Sequence, residues 1–259
     1  MHDFLDCLAR DALETINSGY YEDFGNKTSH PILSLKRSLR NAVGNPIIGE
    51  VKAASPSKGS IKKNLNLLEL AESMINGGVA GLSVLTEPKH FKGSINHIAK
   101  ISKANSFPIL MKDFVLSTTQ LKTARKIGAS AVLLISTLYN RGYGEMEVPE
   151  MIDYAHREGL EVLLETHSLE EFNEAVATNA DLIGINNRDL KTLKTDLKVT
   201  EKILSEAKPP SVMVVSESGI ETAMDIRFLR NCGAEAFLVG SAIMASKKPE
   251  SKVRELVEA

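Results

Sequence analysis

The chain has 259 residues, 43% of them hydrophobic, and a net charge of −2. That length suits one α/β barrel, and the balanced charge offers no basic excess for nucleic acid or an anionic membrane surface. Cys7 and Cys232 lie far apart without metal-ligand spacing, so they read as reduced thiols. The acidic start Met-His-Asp-Phe-Leu-Asp is unlike a signal peptide, and no apolar stretch reaches membrane-spanning length. The expectation is a cytoplasmic monomer that binds neither nucleic acid nor membrane.

Residues 1 to 45 read as a helical extension. Phe4, Leu5, Ala9, Ala12, Leu13 and Ile16 recur at helical spacing until Gly19 interrupts them. A second, basic helix begins at Pro31 and carries Lys36, Arg37 and Arg40. The expected place of this extension is over the mouth of a single domain. From Ile47 onward the pattern alternates. Short apolar runs open there and recur at Gly81–Leu85, Pro108–Lys112, Ala131–Ile135, Glu161–Glu165, Asp181–Ile185, Val212–Ser216 and Ala236–Val239, eight in all. Amphipathic segments lie between them, from Leu67–Ile75 to Thr222–Arg230, and Glu250–Val257 closes the chain. Glycines at 78, 128, 159 and 233 sit where helices should end. Strands alternating with helices imply parallel pairing through right-handed crossovers. Eight such units fit a (β/α)8 TIM barrel better than the alternative, an open doubly wound sheet.

In such a barrel, reactive groups sit at the C-terminal strand ends and in the loops that follow. Those positions collect Glu50 and Lys52 on the first strand, Lys112, Asp113 and Phe114 on the third, and Glu165 on the fifth. Asn186 and Arg188 follow the sixth strand, and Glu217 the seventh. Taken singly, Lys112 could form a rim pair with Asp113, Asn186 and Arg188 could build a turn, and His167 could be plain loop polarity. Convergence at one end favours a site, because buried charges are costly unless paired. Ser218-Gly219-Ile220 and Gly240-Ser241-Ala242 follow the last two strands and open helices. Glycine lets backbone amides approach an anion and a helix N-terminus favours negative charge, so a phosphorylated small molecule is the expected partner.

Several motifs occur in register: Glu50-Val51-Lys52 with Ser55-Pro56-Ser57-Lys58-Gly59, Leu110-Met111-Lys112-Asp113-Phe114, Ile185-Asn186-Asn187-Arg188-Asp189-Leu190 and Glu217-Ser218-Gly219-Ile220. On these the chain resembles the indole-3-glycerol phosphate synthase family of tryptophan biosynthesis, from about Leu35 to Ser241. It departs at Ala53, where a basic residue is frequent, and at the polar, glycine-containing segment Thr137–Val148. The resemblance implies a carboxy-lyase that closes the indole ring of 1-(2-carboxyphenylamino)-1-deoxyribulose 5-phosphate without metal or organic cofactor. It implies catalytic roles for Glu50, Lys52, Lys112, Glu165, Asn186 and Glu217. It implies substrate contacts from Ser55, Phe114, Leu133, Arg188, Ser218, Gly219, Gly240 and Ser241. Lys112 is expected to be the general acid, its pKa lowered by the apolar run before it. Glu165 is expected to be the base, with Glu50 and Glu217 orienting Lys52 and the substrate hydroxyls. Two other functions compete. Phosphoribosylanthranilate isomerase would call for a cysteine on the first strand, and a non-catalytic metabolite-binding barrel would lack the acids and bases.

Overall fold

The computed structural model describes residues 4–22, 32–52, 54–55, 59–60, 66–189, 192–208 and 210–259. Eight parallel strands close into a barrel: β1 (Ile47–Val51), β2 (Gly81–Leu85), β3 (Ile109–Lys112), β4 (Ala131–Ile135), β5 (Glu161–Thr166), β6 (Leu182–Asn186), β7 (Met213–Glu217) and β8 (Ala236–Val239). Pairing of β1 with β8, in the register Ile47↔Phe237 and Ile48↔Leu238, completes the ring. Every residue of β1, β2 and β4 is buried, because helices cover the outer face of each strand while side chains fill the inside.

Among the described residues twelve helices accompany the strands in chain order. They are α1 (Phe4–Asn17), α2 (Leu35–Arg40), α3 (Leu67–Gly77), α4 (Ile95–Ala104), α5 (Thr118–Ile127) and α6 (Ser136–Asn140). Then follow α7 (Val148–Arg157), α8 (Leu169–Val176), α9 (Lys198–Glu206), α10 (Ala223–Asn231), α11 (Ser241–Ala245) and α12 (Pro249–Val257). Ser94, Ser117, Ser168 and Thr222 accept first-turn amides of α4, α5, α8 and α10, so these helices start where a hydroxyl satisfies an otherwise orphaned N–H. Gly78 and Gly128 end α3 and α5 in the left-handed conformation. Each expected apolar run forms a strand to within one residue. Helix α11 opens at Ser241, as the Gly240-Ser241-Ala242 run implied, but two short elements were not expected: α6, and an antiparallel pair of two-residue strands, Ala54–Ser55 with Gly59–Ser60, in the loop after β1.

The N-terminal extension divides between the two ends of the barrel. Helix α1 crosses the mouth, where Phe4, Leu5 and Leu8 line a pocket together with Phe91, Phe114 and Leu133. Ion pairs fasten its outer side: Lys89 reaches Glu14 at 2.7 Å, His90 reaches Asp11 at 2.7 Å, and Arg141 reaches Asp6 at 2.8 Å. Tyr143, in the unusual segment after β4, adds its hydroxyl to Asp6. Helix α2 lies at the opposite end. Leu35 packs where a Cβ on Gly81 would stand, and the amide of Lys36 donates to Glu161 at the start of β5.

Candidate active site

Strand alternation decides which side chains enter the barrel. Glu50, Lys112, Glu165 and Glu217 come from β1, β3, β5 and β7, so one layer draws its four members from the odd-numbered strands. Lys112 Nζ donates to Glu165 Oε2 and to Glu217 Oε2, both at 2.8 Å. Lys52 pairs with Glu50 at 2.6 Å. Asn186 Nδ2 donates to Glu165 Oε1 at 3.0 Å. The rim pair of Lys112 with Asp113 is therefore not the arrangement adopted. Glu217 holds Lys112 rather than Lys52, whose ion-pair partner among the described residues is Glu50.

Two glycines make this layer possible. A Cβ on Gly184 of β6 would overlap Glu217 Oε1, and a Cβ on Gly240 after β8 would overlap Glu50 Oε1. Gly240, expected for its backbone amide, thus also leaves room for a carboxylate.

The electrostatics correct one expectation. Burial alone would push the Lys112 ammonium down, as its apolar run suggested. Glu165, Glu217 and, less strongly, Glu50 outweigh burial and raise it well above an ordinary lysine. The carboxylates separate. Burial raises both Glu165 and Glu217, but Glu165 has Lys112, His167 and Asn186 beside it and ends below the usual range. Glu217 has Lys112, opposed by the repulsion of Glu165 and Glu50 as well as by burial, and ends above it. Its Oε1 makes no hydrogen bond. The environments of the two carboxylates thus push them apart, Glu165 toward the ionised form and Glu217 toward the protonated one. Glu50 is lowered, since Lys52 and Lys112 outweigh its burial.

Phe114, Leu133, Arg188, Ser218 and Ser241 line the same pocket as Glu50, Lys52, Lys112, Glu165 and Asn186. Arg188 also shapes its own loop: its amide donates to Asn186 Oδ1 and its guanidinium to the Leu193 carbonyl. The loops after β7 and β8 are neighbours because those strands pair, Leu238 opposite Glu217. Ser218 and Gly219 are consecutive left-handed residues, φ +67° and +80°. That conformation costs a serine on the order of 1 kcal/mol or more, so something must hold it. Of Ser55 only the backbone, in its two-residue strand, is described, while Ala53, Pro56, Ser57, Lys58 and Leu190 lie outside the described residues.

Three further residues, to which the sequence reading gave no catalytic or substrate-binding role, belong to this assembly. Asn187, fully buried, donates to Ser216 Oγ and to the carbonyls of Glu217 and Ser218 while accepting from Thr200. It is the brace of the Ser218-Gly219 turn, and its only sequence signal was the Asn-Asn doublet. Asp113, expected to be structural, accepts from Tyr21, Thr86 and the Phe114 amide, which ties the extension to the loop after β3. Glu87 accepts the amides of Lys89, His90 and Phe91 and so fixes an aromatic wall of the pocket.

The family model for indole-3-glycerol phosphate synthase matches residues 10–256. The chain belongs to the indole-3-glycerol phosphate synthase family. It is accordingly an enzyme of the carboxy-lyase class. The indole-3-glycerol phosphate synthase of Methanocaldococcus jannaschii is 44% identical over 87% of this chain and 83% of its own length. That of Oceanobacillus iheyensis is 35% identical over 98% of this chain and 96% of its own. More distant solved structures share the barrel alone. A 3-hexulose-6-phosphate synthase superposes with TM-score 0.60 at 17% identity, covering 82% of this chain and 97% of that one. The thiamine phosphate pyrophosphorylase of Pyrococcus furiosus gives TM-score 0.58, also at 17% identity, over 86% and 96%.

Proposed function

We propose that the site closes the indole ring of 1-(2-carboxyphenylamino)-1-deoxyribulose 5-phosphate, releasing carbon dioxide and water, in tryptophan biosynthesis. The observation that carries this reading is Lys112, held at 2.8 Å by each of two carboxylates at the floor of a pocket walled by Phe91, Phe114 and Leu133. An aromatic substrate fits the wall, and the ammonium is aimed at its sugar chain. As the ring carbon attacks the keto carbon, the carbonyl oxygen takes the proton of Lys112. The carbon–carboxylate bond then breaks, and its electron pair restores the aromatic ring as carbon dioxide leaves. Dehydration follows: hydroxide departs with a proton, and Glu165 takes the proton from the neighbouring carbon. Glu50 with Lys52 orients the hydroxyls, and Glu217 shares Lys112 and supplies the exchangeable proton that the buried layer retains.

Ser218, Gly219, Gly240 and Ser241 hold the phosphate, and Arg188 and Ser55 complete the substrate contacts. These steps are proton transfers, the making and breaking of carbon–carbon bonds and the loss of one hydroxyl, and acids and bases of the side-chain kind serve all of them without metal or organic cofactor. The enzyme acts as a cytoplasmic monomer with helix α1 as part of its mouth. Mixing purified protein with the substrate and following indole absorbance tests the reading. Appearance of indole-3-glycerol phosphate with one equivalent of carbon dioxide is expected, and no absorbance change at micromolar enzyme would overturn it.

A further inference from the structure

His167 is a largely buried ionisable group that this scheme leaves idle. It follows Glu165 by two residues, immediately past the end of β5, and its ring turns toward that carboxylate. Its side chain is 15% exposed, and Nε2 lies 3.4 Å from Glu165 Oε1. That nitrogen makes no hydrogen bond among the described residues. The other ring nitrogen, Nδ1, faces Glu171 Oε2 at 3.6 Å and Thr137 Oγ1 at 3.5 Å. Glu171 is itself fixed, since Oε2 accepts the His167 amide at 2.8 Å and Oε1 the Thr137 hydroxyl at 2.6 Å. An imidazole between two carboxylates can donate to both only in its doubly protonated form.

We propose that His167 is a positioning residue: as an imidazolium clamped by Glu171 and Thr137, it supplies a second cationic contact that keeps Glu165 ionised and aimed at the substrate. This rests on the reading of Glu165 as the base. Lys112 by itself does not decide between the two carboxylates, because it stands 2.8 Å from each. Asn186 and His167 both approach Glu165, and neither hydrogen-bonds Glu217. Among the described residues the charges facing His167 are Glu165 on β5, Glu171 on α8 and Glu217 on β7, with Lys112 beyond the carboxylates. Burial would lower the imidazole, but Glu171 and Glu165 raise it above an ordinary histidine. Glu171 is lowered in turn, because His167 and Thr137 outweigh its own burial.

Two measurements test the clamp. In 15N-labelled full-length protein without substrate, the His167 ring nitrogens should titrate above the ordinary histidine value of about 6.5 and shift down in Glu171→Gln. Thr137→Val serves as the second variant should Glu171→Gln not fold. In steady-state kinetics, His167→Gln keeps a donor amide and removes the charge. Its kcat should fall about tenfold or more, with KM within about twofold, and the acid limb of the kcat profile should move to higher pH. A His167 that is neutral at pH 7, a titration unmoved by loss of Glu171 or Thr137, or a His167→Gln profile that coincides with wild type would each overturn the proposal. The titration needs no turnover. Its failure removes the clamp and leaves ring closure standing, whereas a normal rate in Glu165→Gln removes the base and with it the purpose assigned to His167.

Discussion

The two ends of the barrel carry similar charged residues and treat them in opposite ways. At the floor, Asp181 accepts the Val162 amide at 3.0 Å, meets His156 at 2.9 Å and lies 3.5 Å from Lys36. Asn45 donates to the carbonyls of Leu256, Val257 and Ala259 and accepts from Arg230. These groups are partnered, and their role is to seal the end of the barrel. At the mouth, three glutamates and two lysines are packed into one region, and Glu217 Oε1 and His167 Nε2 remain without a hydrogen bond. The other buried side-chain atoms without partners among the described residues, Ser83 Oγ and Asn105 Nδ2, are neutral. A buried ionisable group with an unmet atom is costly, and it persists where a substrate will meet it. The difference between the ends is thus one of satisfaction, not of charge content.

Substitutions at the mouth should break that contrast most. Lys112→Met keeps the volume and removes the proton; kcat should fall by about 10² to 10⁴ in the indole-absorbance assay. Retention of more than about a tenth of the rate would remove Lys112 as the acid. Glu165→Gln keeps the shape and should lower kcat by on the order of 10² with KM little changed. If Glu50→Gln were instead the inactive variant, the base has been misassigned.

Asn187→Ala sharpens the comparison by attacking a fully partnered residue near the mouth. Loss of its hydrogen bonds should destabilise the protein by roughly 2–4 kcal/mol in urea unfolding and raise KM as the Ser218-Gly219 turn loosens. An unchanged KM would mean that the turn does not need its brace.

Asp113 tests the cost of burial directly. Burial outweighs the Thr86, Tyr21 and Phe114 donors and lifts its carboxyl to about 6. The folded protein therefore holds this proton more tightly than the unfolded chain, whose value is about 3.8. The sign follows: the stability due to this group is complete below about pH 4 and is lost as pH climbs through 6, by at most roughly 3 kcal/mol. Asp113→Asn should remove that slope, read as the difference between wild-type and variant unfolding free energies at pH 4.5, 6 and 7.5. Parallel curves would show that the three donors offset burial.

The smallest effect belongs to the floor. His156→Ala removes a half-exposed partner of Asp181 and should change stability by less than about 1 kcal/mol, with normal turnover. A large loss of activity there would erase the distinction between the two ends.

The order of strands and helices was legible because each barrel strand is buried on both faces, which leaves uninterrupted apolar runs, while the helices keep their serine starts and glycine stops. Lys112, Glu165, Glu50 and Glu217 were legible as strand-end charges. Alternation along each strand and alternate-strand layering then follow from the fold itself. Tertiary structure alone decided which charges pair. Lys112 could have met Asp113 next to it in sequence, but the barrel's curvature presents it to Glu165 and Glu217, 53 and 105 residues away. The same contacts reversed the expected direction of its pKa, since sequence reports an apolar neighbourhood and not the carboxylates that close over it. Gly240 looked like loop chemistry and Gly184 was one residue of an apolar run, until their missing side chains proved to be the space two glutamates occupy. His167 and Asn187 were invisible for a related reason. Their meaning lies in partners on other elements, Glu171 and Thr137 for one, Thr200 and Ser216 for the other, and distance in space is the quantity a sequence does not carry.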